Sequence, residues 1–316
     1  MNLIEILRDR LEVLPPGEYT IGLRAVLQHV QVAANHLARG EKTGDETAFT
    51  DAVYRTNQAF EGSLKEAYRV LAGKDPAKVR PFDIENFFQE QGILRSRVRD
   101  QFTRYRTEWR NPSTHDYRLD FDEDEALLAI VSVCAFAIVL TDQISEKLSF
   151  ESARAAAVPI RSVIDQARPL VDEVAEALQK FRYQAVDRNS GELPREFELI
   201  GALAGYLTAS LPGLQVAEGA YLTSEQHMRV DLTLFLGDKR LIIEVKRSRI
   251  RGARIQQGID QLAHYMALSG IKEAILYIYA DGIDTEMRRD EHLLPEIQAR
   301  IIIISPATAP EPGPPG

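Results

Sequence analysis

One cysteine, one tryptophan and no uninterrupted apolar run of membrane length set the first limits on this 316-residue sequence. The lone Cys134 excludes an internal disulfide and a cysteine-rich zinc site, and its apolar neighbours mark it as a small core residue. The longest apolar stretch, Ala126 to Leu140, contains Ser132 and Cys134. It falls short of the roughly 18 residues of a spanning segment, so a buried helix and no membrane are expected. The opening MNLIEILRDRLEVLPPGEYT carries acids and arginines where a signal peptide needs unbroken apolar residues, which points to a cytoplasmic protein. Positive charge is also in deficit. The 38 Lys and Arg residues face 47 Asp and Glu, and the formal net charge of -9 excludes indiscriminate coating of nucleic acid, leaving only cations gathered locally.

What is present suffices for folding: 45% of residues are hydrophobic and 27% charged, enough apolar surface for a core in each of the two domains the length favours. Residues 1–148 read as an all-α bundle, since segments such as DAVYRTNQAFEGSLKEAYRVLAG repeat apolar residues at three- and four-residue spacing and stop at glycine. Residues 149–190 continue as a helical linker broken by Pro159 and Pro169. From 191 to 304 the period changes. PREFELIGALAGYLTASLPG reads as a helix, VDLTLFLGDKRLIIEVKRS as two strands around Gly237–Asp238, QQGIDQLAHYMALSG as a helix and EAILYIYA as a strand. That alternation predicts an α/β domain with a small mixed sheet. The Pro-rich residues 305–316 cannot pack a core and read as a disordered tail.

Chemistry gathers in the α/β part. Asp231 opens one strand, and Glu244 and Lys246 end the next on one face, because strand side chains alternate with period two. Two carboxylates suit a hard divalent cation, Mg2+ or Mn2+, and an ammonium beside them suits orienting water or meeting phosphate charge. Asp231, twelve residues, then Glu244-Val245-Lys246 resembles the PD-(D/E)XK nucleases of the restriction-endonuclease-like fold, with Val230 where the family usually has Pro. Glu198, within Phe197-Glu198-Leu199, is similar to the acidic helix position of the Mrr-like branch. Gln261 and Tyr265 resemble the Q-x-x-x-Y helix of the RecB-like branch. The resemblance implies a metal-dependent nuclease with these six residues at its site. The run Arg247, Arg249, Arg251 and Arg254 suits a groove that tracks a nucleic-acid backbone. The plainer alternative is a solvated cross-strand pair and a solvated loop.

The helical part carries a second constellation, Arg110-Asn111-Pro112-Ser113-Thr114-His115, after a run of arginines. His115 can move a proton near neutral pH, and Arg110 can grip a phosphate with two prongs. The arrangement resembles the Arg-x4-His motif of HEPN ribonucleases, which implies metal-independent RNA cutting across a homodimer of the helical domain. Asp120, Asp122, Glu123, Asp124 and Glu125 read as a helix cap, and Trp109 and Tyr117 as packing residues. Fusions of the two families imply a role in antiphage defence with a partner protein. Three functions stay open: a DNA nuclease with a second RNA-cutting site, a DNA nuclease whose helical half dimerises or senses, and a non-catalytic nucleic-acid-binding adaptor.

Overall fold

The computed structural model describes residues 2–93, 96–111, 120–159, 168–183, 194–219, 229–247, 253–279 and 286–307. The side chains of 96–98, 247, 253 and 254 lie outside that description. The chain divides into two compact units, Met1–Ser145 and Glu146–Gly316, helical in the first and α/β in the second.

The helical unit contains α1 (Leu3–Glu12), α2 (Glu18–Thr43), α3 (Thr47–Ala72), α4 (Pro81–Glu90), α5 (Ser96–Tyr105) and the first part of α6 (Glu123–Ala156). Helix α1 starts where the Asn2 side chain accepts from the backbone N–H groups of Ile4 and Glu5. Helices α2 and α3 stop at Gly44 and Gly73, each left-handed at φ 69° and 63°. In α2 the buried Leu23, Val26, Val30, Ala33 and Leu37 keep the helical spacing read from the sequence. They pack on α3, whose Phe60 stacks on Phe136 of α6 at 5.1 Å between centroids. Of the acids read as a cap, Asp122 before α6 and Glu125 in its first turn close its start: Glu125 N–H donates to Asp122 Oδ1 at 2.9 Å and Asp122 N–H to Glu125 Oε2 at 3.1 Å. Helix α6 runs well beyond the apolar stretch read from the sequence, and by length and composition alone it could cross a membrane. Its inner face, including Ala129, Val133, Ala137 and Leu140, is buried, while Leu127, Leu128 and Val131 are exposed.

The second unit is built on a mixed sheet of six strands, among the described residues, in the order β1-β2-β3-β4-β6-β5. These are β1 (Gln215–Glu218), β2 (Leu232–Leu236), β3 (Lys239–Arg247), β4 (Glu273–Tyr279), β5 (Met287–Leu294) and β6 (Ala299–Pro306). Strands β3, β4 and β6 are parallel, and the remaining pairings are antiparallel. The β2–β3 hairpin turns at Gly237, which supplies φ 59°. Helices α7 (Leu170–Lys180) and α8 (Glu196–Ser210) cover one face, packing on Leu232, Leu241, Ile243 and Val245. Helix α9 (Ala253–Ser269) covers the other through Ile259, Leu262 and Met266 over Ile242 and Leu276.

Three expectations need correction. The 149–190 stretch is not simply a linker, because α7 buries Leu170, Val171, Val174 and Leu178 in the core of the sheet unit. The tail does not begin at 305: Ser305 and Pro306 pair with Arg288 and Met287. Strand β5 was not expected, since Arg288, Arg289, Asp290 and Glu291 give it no apolar face; it is an edge strand, where charge blunts further pairing.

Candidate active site

The β2–β3 register places Leu232 opposite Ile243, so one further step sets Asp231 against Glu244. Both lie at the end of the hairpin remote from its turn. Strand β3 is covered on both faces, which is why Glu244, within LIIEV, is only 3% exposed. Asp231 closes the ladder with its side chain: the Val245 N–H donates to Asp231 Oδ2 at 2.8 Å. Glu244 Oε1 accepts from Lys246 Nζ at 2.6 Å and from Gln261 Nε2 at 2.7 Å. Gln261 Nε2 also lies 2.9 Å from the Tyr265 hydroxyl. Thus α9, one turn apart, brings Gln261 and Tyr265 to the face of β3 that carries Glu244 and Lys246.

The electrostatics follow from that crowding. Burial, then the neighbouring charge of Glu244, pushes the Asp231 carboxyl up to about 7, against the stabilising Val245 N–H. Burial also raises Glu244, although Lys246 and Gln261 favour its ionised form. For Lys246, burial alone would lower the pKa; the hydrogen bond and charge of Glu244, with the charges of Asp231 and Glu196, outweigh it and raise it.

Two polar features identify what the site can hold. Glu244 Oε2 is buried with no hydrogen-bond partner, and Asp231 stands beside it as a second hard oxygen donor. A magnesium-type ion, which keeps several waters and takes one or two carboxylates, fits that donor set. Among the described residues no three His, Cys, Asp or Glu side chains converge on one point.

Glu198 is not part of this group. It occupies the third position of α8, is 1% exposed, and its Oε2 accepts from the Arg195 N–H at 2.7 Å, closing the helix start. Glu196, exposed at the first turn of α8, is the helix acid whose charge reaches Asp231, Glu244 and Lys246. The sequence held a signal for this: Glu198 precedes Leu199 and lies one turn before Ala202, both core residues, whereas Glu196 falls on the other side of the helix.

Of the basic run, Arg247 ends β3 and Arg254 lies in the first turn of α9, while Arg249 and Arg251 fall outside the described residues. In the helical unit, Arg110 ends a π-helical turn, Arg106–Arg110, that continues α5. Its Nη1 donates to Asn111 Oδ1 at 3.1 Å, and its Nη2 lies 4.0 Å from Glu61 Oε2. His115 and Tyr117 lie outside the described residues, and Trp109 packs against Tyr105 at 5.6 Å. Compared with family models, curated proteins and solved structures, the chain matches none.

Proposed function

We propose that the sheet unit is a restriction-endonuclease-like nuclease that hydrolyses phosphodiester bonds, of DNA in the first place, with Mg2+ or Mn2+. One observation carries this reading: the buried, unpartnered Oε2 of Glu244 beside the ionisable Asp231. A carboxylate oxygen left so costs free energy unless a cation meets it.

Asp231 and Glu244 would hold a divalent ion, which would supply Lewis acidity towards the scissile phosphate and acidify a bound water. The protein's part is positional. The Val245 N–H fixes one Asp231 oxygen and leaves the other free to ligate. Lys246 and Gln261 anchor Glu244 through Oε1, so Oε2 would be the oxygen that holds an ion. Lys246 remains an ammonium at the mouth of the site, suited to orienting the attacking water and to meeting charge that develops on phosphate oxygens. Exposed Glu196 can accept a proton from incoming water. The run Arg247, Arg249, Arg251 and Arg254 supplies, in the sequence, the positive charge that a nucleic-acid backbone calls for.

For the helical unit we infer a metal-independent ribonuclease built on Arg110 and His115, supported by the π-helical turn that ends at Arg110, a distortion frequent at functional sites. The exposed Leu127, Leu128 and Val131 favour a twofold dimer through this unit, which would supply an acid and a base across one phosphate. A defence role with a partner protein completes the reading. Incubating the full chain with DNA and RNA in magnesium and in EDTA tests it. Magnesium-dependent DNA cutting is expected, with EDTA-resistant RNA cutting from the helical unit, and neither activity would leave the adaptor.

A further inference from the structure

Phe82, Glu85, Asn86 and Gln89 follow the i, i+3, i+4, i+7 spacing of a single helix face on α4, and Arg99, Thr103 and Arg106 do the same on α5 and its π-helical continuation. The two faces enclose a cavity of about 240 Å3 within the helical unit. Below the roughly 300–1,000 Å3 of drug-sized sites, it admits one planar ring system rather than a whole cofactor.

Its lining is unusual for a structural cleft. Phe82 is 51% exposed, and the Arg106 guanidinium sits 5.5 Å from its ring centroid. A half-exposed aromatic ring with a cation over it suits stacking of a heteroaromatic base. The Glu85 side chain is 11% exposed, and its Oε2 lies 2.9 Å from Arg106 Nε. Its other oxygen, Oε1, is buried with no hydrogen-bond partner. Burial is the larger influence on Glu85 and raises its pKa, while Arg106 and Arg110 pull the other way. Gln89 and Glu90 one turn on are exposed, whereas Glu85 turns inward to its ion pair with Arg106, and that pair leaves Oε1 unmet.

We propose that this pocket binds a guanine base. Glu85 Oε1 accepts from the N1–H of guanine while Oε2 keeps its ion pair with Arg106, the Asn86 or Gln89 amide donates to O6, Phe82 stacks on the ring and Arg99 meets a phosphate. Adenine offers an acceptor at N1, which would face the carboxylate lone pairs, so the same residues select against it. The base can come from a free mononucleotide or from an RNA strand. The site stands whether or not either unit cuts nucleic acid, because binding is read directly.

The experiment is calorimetric titration of the full chain with GMP, AMP and the trinucleotides UGU and UAU. Saturable binding of GMP or UGU, roughly tenfold or more tighter than its adenine counterpart, is expected. A preference in the mononucleotides assigns a free ligand, and one in the trinucleotides alone assigns a strand. Glu85→Gln should erase the preference. Phe82→Ala, at an exposed position that tolerates truncation, should weaken every ligand that binds, and it decides the matter if Glu85→Gln does not fold by circular dichroism. No saturable guanine binding at millimolar ligand, equal affinity for adenine and guanine, or wild-type binding by folded Glu85→Gln or Phe82→Ala would overturn the proposal.

Discussion

Gln261 on α9 reaches across to β3 and donates to Glu244 Oε1 at 2.7 Å, the same oxygen that Lys246 holds at 2.6 Å. Two donors on one oxygen fix the rotamer of the carboxylate and aim the other oxygen away from both. On the proposed reading Gln261 positions Glu244 for an ion rather than ligating it. Gln261→Ala should weaken Mn2+ binding by roughly 10–100-fold, the cost of losing an outer-shell partner, with little change in melting temperature. Calorimetric Mn2+ titration reads this; unchanged affinity would remove Gln261 from the site.

Asp231 gives the sheet unit a pH dependence of its own. Its folded pKa stands near 7 against an ordinary 3.8, chiefly through burial and the charge of Glu244. The folded state thus binds the proton more tightly than the unfolded chain does. The contribution to stability is full below about pH 4, falls as pH rises through that window and is lost above about pH 7. In EDTA the chain should become easier to denature with urea between pH 4 and 7. Asp231→Asn should flatten the slope, and magnesium should restore stability at pH 7.5. An equal slope in Asp231→Asn would show that other groups cause it.

Two acids on one helix should separate function from stability. Glu198→Ala removes the acceptor that closes the start of α8 and should cost about 0.5–2 kcal/mol in urea denaturation, with folded protein keeping its cleavage rate. Glu196→Gln should leave stability within about 0.5 kcal/mol and lower the cleavage rate instead. The reverse pattern would restore Glu198 to the site.

Helix α8 also meets the end of α6 at unusually close range. A Cβ at Gly201 or Gly205 would collide with the carbonyl oxygen of Glu146 or Phe150, and backbone cannot yield as a flexible side chain can. Gly205→Ala should therefore destabilise the sheet unit by about 1–3 kcal/mol, against the usual gain from replacing a helical glycine. A rise in melting temperature would contradict the packing described.

Some of this was readable in the residues and some was not. Gly237–Asp238 between two apolar runs announced the hairpin, and the hairpin alone brings Asp231 to Glu244, so the centre of the site followed from local rules. Gln261 and Tyr265 were singled out by their resemblance to a Q-x-x-x-Y helix, and their separation by one helical turn puts both on one face. The destination of LVDEVAEALQK was hidden: periodicity shows that α7 has an apolar face but not that the sheet receives it. Strand β5 was hidden for the opposite reason, since MRRDEHLL has no strand pattern and is held by backbone pairing to β6. Glu198 was singled out by resemblance to an acidic helix position, and Glu196, two residues earlier and pointing nearly the opposite way, carries no such resemblance in the sequence.

The account rests on Asp231 and Glu244 acting together on one ion, and cleavage of supercoiled plasmid in magnesium by Asp231→Ala tests that most directly. Removing a buried carboxylate that repels its neighbour should leave the fold intact by circular dichroism. The cleavage rate should fall by more than the roughly 10–100-fold expected for an outer-shell residue. Folded Asp231→Ala protein that nicks plasmid at the wild-type rate would contradict the account.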